Sequence, residues 1–441
     1  MTVSTLGGTS KSYLFKISIP IFFSNIAVPL VGLVDTGLMG HLNNEKFLAA
    51  ISIATSVITM VFWSFGFLRM GTLSLVSQSL GKRDHNEIIL TIIRNLIIAS
   101  AIGLVIIILK SPILFLIEFF FQTSEETQLL INEYISVRVF SAPAELTIYV
   151  LAGLYFGLQK THISSLLISL FCLGNAIISS ILVIQYDLEI FGAALGTVIA
   201  AYTSVLLFLF YSYFIFRGKL KKIIFTRKII FNKIKLFKLF NINFDIFIRT
   251  VFLTFSFLWV TYQGSKLGEN YLAVNTILMQ FITLAAYFLD AYTHSTETLV
   301  GYSIGRGSEK SFMQVVKSSF QLSFFTAIII SILYFFLFNN IVEQLTNLDY
   351  LRYLSVSYLL WIIIIPPIGS ICYLFDGIFI GAAQTSDMRN AMLVSVAFFI
   401  LSSELLINIF ANHGLWLSFL LFLIMRSITL NYYFKNILKH F

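Results

Sequence analysis

The chain reads as long apolar runs separated by short polar connectors. Residues 88–109, 163–184, 322–338 and 391–410 carry few or no charges. Each run approaches the roughly 20 residues a helix needs to cross hydrocarbon. Apolar positions in these runs do not recur every three or four residues, as on a soluble amphipathic helix, but cover the whole helix surface. The pattern predicts twelve helical spans, at 14–40, 46–80, 88–109, 131–158, 161–184, 190–216, 241–266, 271–304, 311–338, 351–382, 387–409 and 413–434. The second and eighth are longer than a membrane is thick and are expected to tilt or protrude. The fold class this implies is all-α integral membrane.

Composition agrees with that pattern. Of 441 residues, 58% are hydrophobic and 11% charged, and mean hydropathy is +0.89. That charge is too sparse to coat a soluble surface. A formal charge of +8 alone would suggest nucleic acid, but nine of the 29 Lys and Arg lie at 217–238, between two apolar blocks. A basic connector beside membrane spans reads as a cytoplasmic loop. Acidic residues collect in alternate connectors (Glu125, Glu126, Glu133; Asp187, Glu189; Glu343, Asp349), so both termini are expected in the cytoplasm. Lys11 and Lys16 precede an apolar stretch without a small-residue cleavage site, which reads as a first span rather than a signal peptide. Cys172 and Cys372 both fall inside apolar runs, so neither a disulfide framework nor a zinc site is expected.

The sequence repeats itself. A shift of 224 residues aligns 40–82 with 264–306 without a gap, with 12 of 43 identical, and the same shift pairs Pro143 with Pro367, Gly153 with Gly377, Gly157 with Gly381 and Thr161 with Thr385. The predicted organisation is an N-lobe at 1–216, a basic linker at 217–238 and a C-lobe at 239–441. The lobes form a parallel repeat of six spans each, an arrangement suited to alternating access.

Ionisable groups within spans are costly in hydrocarbon and usually face a cavity or a partner. Asp35 lies near the outer end of the first span, six residues after Pro29, where the missing N–H lets the helix bend. A partly desolvated carboxylate there would hold a proton that a cation can displace; a structural Asp bonded to a neighbouring helix is the alternative. Thr283, Tyr287, Asp290, His294 and Glu297 lie on one face of the eighth span. They suggest a polar seam facing a cavity, or a hydrogen-bonded structural seam; Asp290, His294 and Glu297 also have a metal-like spacing, which is weak on one helix. Arg69 falls at a depth between Asp290 and Glu297 in repeat numbering, and pairing with either acid would close the cytoplasmic side. Asp245 and Arg249 are spaced for a local ion pair, and Asp376 precedes Gly377 in an apolar helix, either lining a cavity or locking two helices. No nucleotide-binding motif or catalytic triad appears.

These residues resemble the multidrug and toxic compound extrusion (MATE) family, and specifically its DinF branch. The matching stretches are Val-Asp-Thr-Gly-Leu-Met-Gly-His-Leu at 34–42, Phe-Leu-Arg-Met-Gly-Thr at 67–72, Ser-Ala-Pro-Ala at 141–144, Asp-Ile-Phe-Ile-Arg at 245–249, Tyr-Leu-Phe-Asp-Gly-Ile-Phe-Ile-Gly-Ala at 373–382 and Met-Arg-Asn at 388–390. The resemblance implies twelve helices in two pseudo-symmetric six-helix lobes, and efflux of organic cations or amphipathic compounds against inward protons or sodium. It makes Asp35 the ion-coupling acid of the N-lobe. The family's fifth span carries Gly-Asn, a second Asn and then an Asp; here Gly174 and Asn175 are present, but Ile178 and Leu182 replace the rest. Loss of oxygen ligands favours protons over sodium.

The expected protein is therefore a non-enzymatic antiporter of the cell inner membrane, working as a monomer, without cofactor or bound metal. Its partners are amphipathic or cationic small molecules and membrane lipid, not nucleic acid. The alternatives are a lipid or lipid-linked sugar flippase of the same superfamily, a major-facilitator carrier, and an intramembrane metal-dependent enzyme built on Asp290, His294 and Glu297.

Overall fold

The computed structural model describes residues 10–40, 45–121, 123–220, 226–439 and 441; within helices, the side chains of 28–33, 35, 40, 45, 219 and 220 lie outside that description. Among the described residues the chain makes twelve helical passes. The first is Lys11–Gly40. The second joins Glu45–Trp63 to Phe67–Gly81, the third His85–Ile108 to Lys110–Phe120, and the fourth Glu125–Arg138 to Ala142–Gly157. Thr161–Ile184 and Glu189–Leu220 are the fifth and sixth. After the short helix Arg227–Ile230 come Lys233–Leu267, Glu269–Gly305 and Glu309–Leu345, and the tenth pass joins Asp349–Val356 to Leu359–Gly381. The last two passes are the arms of Thr385–Leu438, which break at Ala411 (φ 48°, ψ −129°). Asn436 Nδ2 donates to Asp387 Oδ2 at 2.9 Å, so the arms run antiparallel.

Proline and close packing place the interruptions. Pro143 sits in the first turn of Ala142–Gly157, where its missing N–H costs nothing, whereas its repeat partner Pro367 lies with Pro366 inside Leu359–Gly381. Beside the Ala411 break three buried side chains form one network. Asn275 and Asn412 exchange hydrogen bonds at 2.7 and 2.9 Å, and Trp416 Nε1 donates to Asn275 Oδ1 at 2.8 Å. A Cβ on Gly414 would lie 2.1 Å from the Leu406 carbonyl oxygen, so only glycine fits this turn.

The described contacts group Phe23–Phe240 into one compact unit, and Asn241–Phe441 with the first helix up to Phe22 into another. In the second unit Ser18 shares a hydrogen bond with Ser295 at 2.8 Å. Each unit buries its own apolar interior; that of the second runs from Val260 through Phe281, Tyr334 and Phe399 to Leu423.

The repeat is reproduced atom by atom. A Cβ on Gly153 would lie 2.4 Å from the Arg69 carbonyl oxygen, and one on Gly377 would lie 2.7 Å from that of Thr293; Gly157 meets Leu73 and Val76 as Gly381 meets Glu297 and Val300. All five residue pairs keep the 224-residue offset. The helix ends match too. Asp84 N–H donates to the Ser79 carbonyl at 2.9 Å and Ser308 N–H to that of Ser303 at 3.1 Å. Arg83 and Gly307 supply the left-handed residue before those bonds, as Gln159 and Ala383 do after the fourth and tenth passes.

Candidate functional site

Asp35 lies in the C-terminal half of the Lys11–Gly40 helix, within an apolar segment; its side chain is outside the described residues. Asn175, also expected at the ion-coupling centre, is fully buried on the fifth pass. Its Nδ2 donates to Thr197 Oγ1 at 2.6 Å and to Ser179 Oγ at 3.2 Å, and its Oδ1 meets no partner among the described residues. Leu182, where the family pattern has an acid, packs on Gly192 of the sixth pass, whose added Cβ would lie 3.3 Å from the Leu182 Cβ. The local oxygens are those of an amide and two hydroxyls. That set carries no formal charge.

The second unit gathers charge around Asp376. Gly377 and Gly381 bring the tenth pass against the eighth, which leaves Asp376 3% exposed. Its Oδ2 accepts from Arg249 Nη2 of the seventh pass and from Arg426 Nη2 of the twelfth, the latter at 2.5 Å. Arg249 and Arg426 are 8% and 1% exposed, and the Arg426 guanidinium also lies over the Phe422 ring at 5.4 Å. Asp376 therefore ties three passes together. The spacing-based pairing of Asp245 with Arg249 is not made. Asp245 instead accepts from Arg389 at 2.5 Å and from Thr385 at 3.0 Å. Both residues find partners on other passes, and Asp245 and Arg249 are themselves buried, where a contact is screened less than an i,i+4 pair on a wet helix face.

The seam on the eighth pass follows the predicted face but differs in depth. Thr283 is exposed, Tyr287, Asp290 and His294 are half-buried, and Glu297 is fully buried. His294 Nδ1 and Glu297 Oε1 are 3.2 Å apart. Asp290 belongs with the Asp376 cluster, since its charge reaches Arg426 and Tyr373. Among the described residues no group of three or more His, Cys, Asp or Glu is placed to hold a metal ion, so the Asp290, His294 and Glu297 spacing does not amount to a ligand set.

Arg69 is half-buried in the first unit, near Tyr149, and Glu145 and Arg138, both buried, lie near the same tyrosine. Arg138 pairs with Glu145 and lies over the Phe62 ring at 5.1 Å. Tyr149 and Tyr373 are repeat equivalents, and each sits beside its own unit's charged groups. Sequence reasoning gave Arg426 no role. A lone arginine in an apolar run signals that a buried acid must answer it, but which acid depends on three helices meeting.

A family model described as MatE matches the chain twice, over residues 20–182 and again over 246–403. The chain is 32% identical over 428 residues to DNA damage-inducible protein F of Escherichia coli (strain K12), covering 96% of this chain and 91% of that one. It is 25% identical over 205 residues to the multidrug export protein MepA of Staphylococcus aureus (strain bovine RF122 / ET3-1), 46% of each. A solved structure of a MATE protein in the bent conformation superposes with a TM-score of 0.88 at 16% identity, covering 99% of this chain and 98% of that one.

Proposed function

Because the chain belongs to the MatE family, in its DinF branch, and is a multi-pass membrane transporter rather than an enzyme, we propose that it exports amphipathic or cationic small molecules in exchange for protons. The observation that carries this reading is a single acid, Asp35, set in an apolar helix within the Val-Asp-Thr-Gly stretch. An acid in such surroundings binds a proton more tightly than one in water, and a cation arriving nearby favours its ionised form. Proton and cargo cation therefore compete. Competition between them within one alternating-access cycle is what couples two opposite fluxes.

Protons are preferred over sodium because the fifth pass lacks the second acid. Sodium is held by several oxygens, and those described around Asn175 are an amide and two hydroxyls with no carboxylate among them. The acidic and basic connectors support an inner-membrane orientation with both termini in the cytoplasm. A chain whose two units each have their own buried interior needs no second copy to complete either, which supports a monomer. Proteoliposomes loaded with a fluorescent organic cation test the coupling ion. Transport should follow an imposed pH gradient and ignore a sodium gradient; transport driven by sodium alone would overturn the proton assignment.

A further inference from the structure

Two deeply buried donors in the second unit have no partner among the described residues. Each guanidinium carries five N–H bonds in a fixed fork, yet Arg249 and Arg426 both direct one nitrogen at the same oxygen of Asp376. Arg249 Nε and Arg426 Nη1 are buried and meet no hydrogen-bond acceptor there. Buried polar groups are almost always satisfied, and exceptions call for an unseen water or ion. Both guanidiniums use the same Asp376 oxygen, so that carboxylate leaves these two further donors unanswered. Elsewhere in the protein Arg138 pairs with Glu145 beside the Ser141 hydroxyl, and Arg389 pairs with Asp245, which also accepts from Thr385.

We propose that the Arg249–Asp376–Arg426 cluster is a binding site for one monovalent anionic group, whether a carboxylate on an amphipathic molecule or an inorganic anion such as chloride. Such a group would complete the donors left by Arg249 and Arg426. Guanidinium forks suit a carboxylate geometrically, and charge-assisted bonds of this kind are the strong ones. The neighbouring groups set the limits of the site. Asp290 is the other acid whose charge reaches Arg426; Cys372 and Tyr373 are the remaining titratable neighbours. Asp290 opposes an incoming anion, so the site fills more readily when that charge is removed. The proposal extends the cargo class to molecules carrying a negative group, and it stands apart from Asp35, which lies on the other unit's part of the first helix.

Thermal melting of the purified full-length protein in detergent tests it, with sodium benzoate and sodium chloride titrated at matched ionic strength against sodium sulfate. Benzyl alcohol serves as the uncharged control of the same shape. A saturable rise in Tm with benzoate or chloride, absent with benzyl alcohol, is expected. Asp290→Asn should tighten the apparent affinity roughly tenfold by removing the opposing charge. The double variant Arg249→Gln with Asp376→Asn conserves net charge but removes one guanidinium, and should abolish the response. A response to benzoate alone identifies an organic carboxylate as the occupant; a response to chloride as well identifies inorganic anion. No saturable response in wild type, or one that persists in the double variant, overturns the proposal. Should the double variant fail to fold, the wild-type titration decides.

Discussion

At the scale of single residues, the buried charges behave as partners rather than as isolated groups. Removing Arg426 leaves Asp376 with only Arg249 in a site 3% exposed. Breaking a buried pair from one side typically costs about 3–5 kcal/mol. Arg426→Met is therefore expected to lower the melting temperature in detergent well beyond Lys46→Met, whose ion pair with Glu126 is substantially exposed. The surface pair should contribute about 0–1 kcal/mol. Sequence reasoning identified Asp376 and Arg249 as residues within spans but matched Arg249 to the wrong acid. Spacing along one helix is visible in the chain; that Asp245 meets Arg389 and Asp376 meets Arg426 depends on packing between residues 144 and 50 positions apart.

At the scale of elements, glycine decides how closely the passes approach. A Cβ at Gly381 would lie 2.5 Å from the Glu297 carbonyl oxygen, a backbone atom that cannot swing away. Gly381→Ala should force the eighth and tenth passes apart and destabilise by about 1–3 kcal/mol, as overpacking does, seen as a lower melting temperature. The opposite change is expected at Ala383, which holds φ 56° where its repeat equivalent Gln159 is also left-handed. A non-glycine residue there costs roughly 1–2 kcal/mol, so Ala383→Gly should raise the melting temperature by relieving it. The spans themselves were legible because an apolar run of about 20 residues, coiled as a helix, matches the thickness of the hydrocarbon layer. The glycine pairing was legible through the repeat. The 3₁₀ turn that divides the second pass, where Phe65 and Gly66 N–H donate to Phe62 and Trp63 carbonyls, was not. Gly66 is one small residue within an apolar run, and its repeat partner Asp290 continues a helix without a break.

At the scale of the molecule, one structural plan is used twice and then given different chemistry. Both units repeat the same glycine contacts and the same helix ends, and the MatE family model matches each half once. Their charged residues are not equivalent. The second unit surrounds its acid with Arg249 and Arg426, whereas Asp35 in the first helix lies in the conspicuous motif of the first. Duplication preserved what packing requires and left the functional positions to diverge. This explains why fold and family could be read from the chain while the partners of Asp376 could not. The coupling role proposed for Asp35 belongs to this scale, because it links two opposite fluxes through the whole cycle. The most direct test reconstitutes wild type and Asp35→Asn side by side, imposes a pH gradient, and measures accumulation of a fluorescent organic cation against its own gradient, with counterflow recorded in parallel. Wild type should accumulate the cation uphill; Asp35→Asn should retain counterflow but lose proton-driven accumulation. Undiminished uphill accumulation in Asp35→Asn would contradict the account.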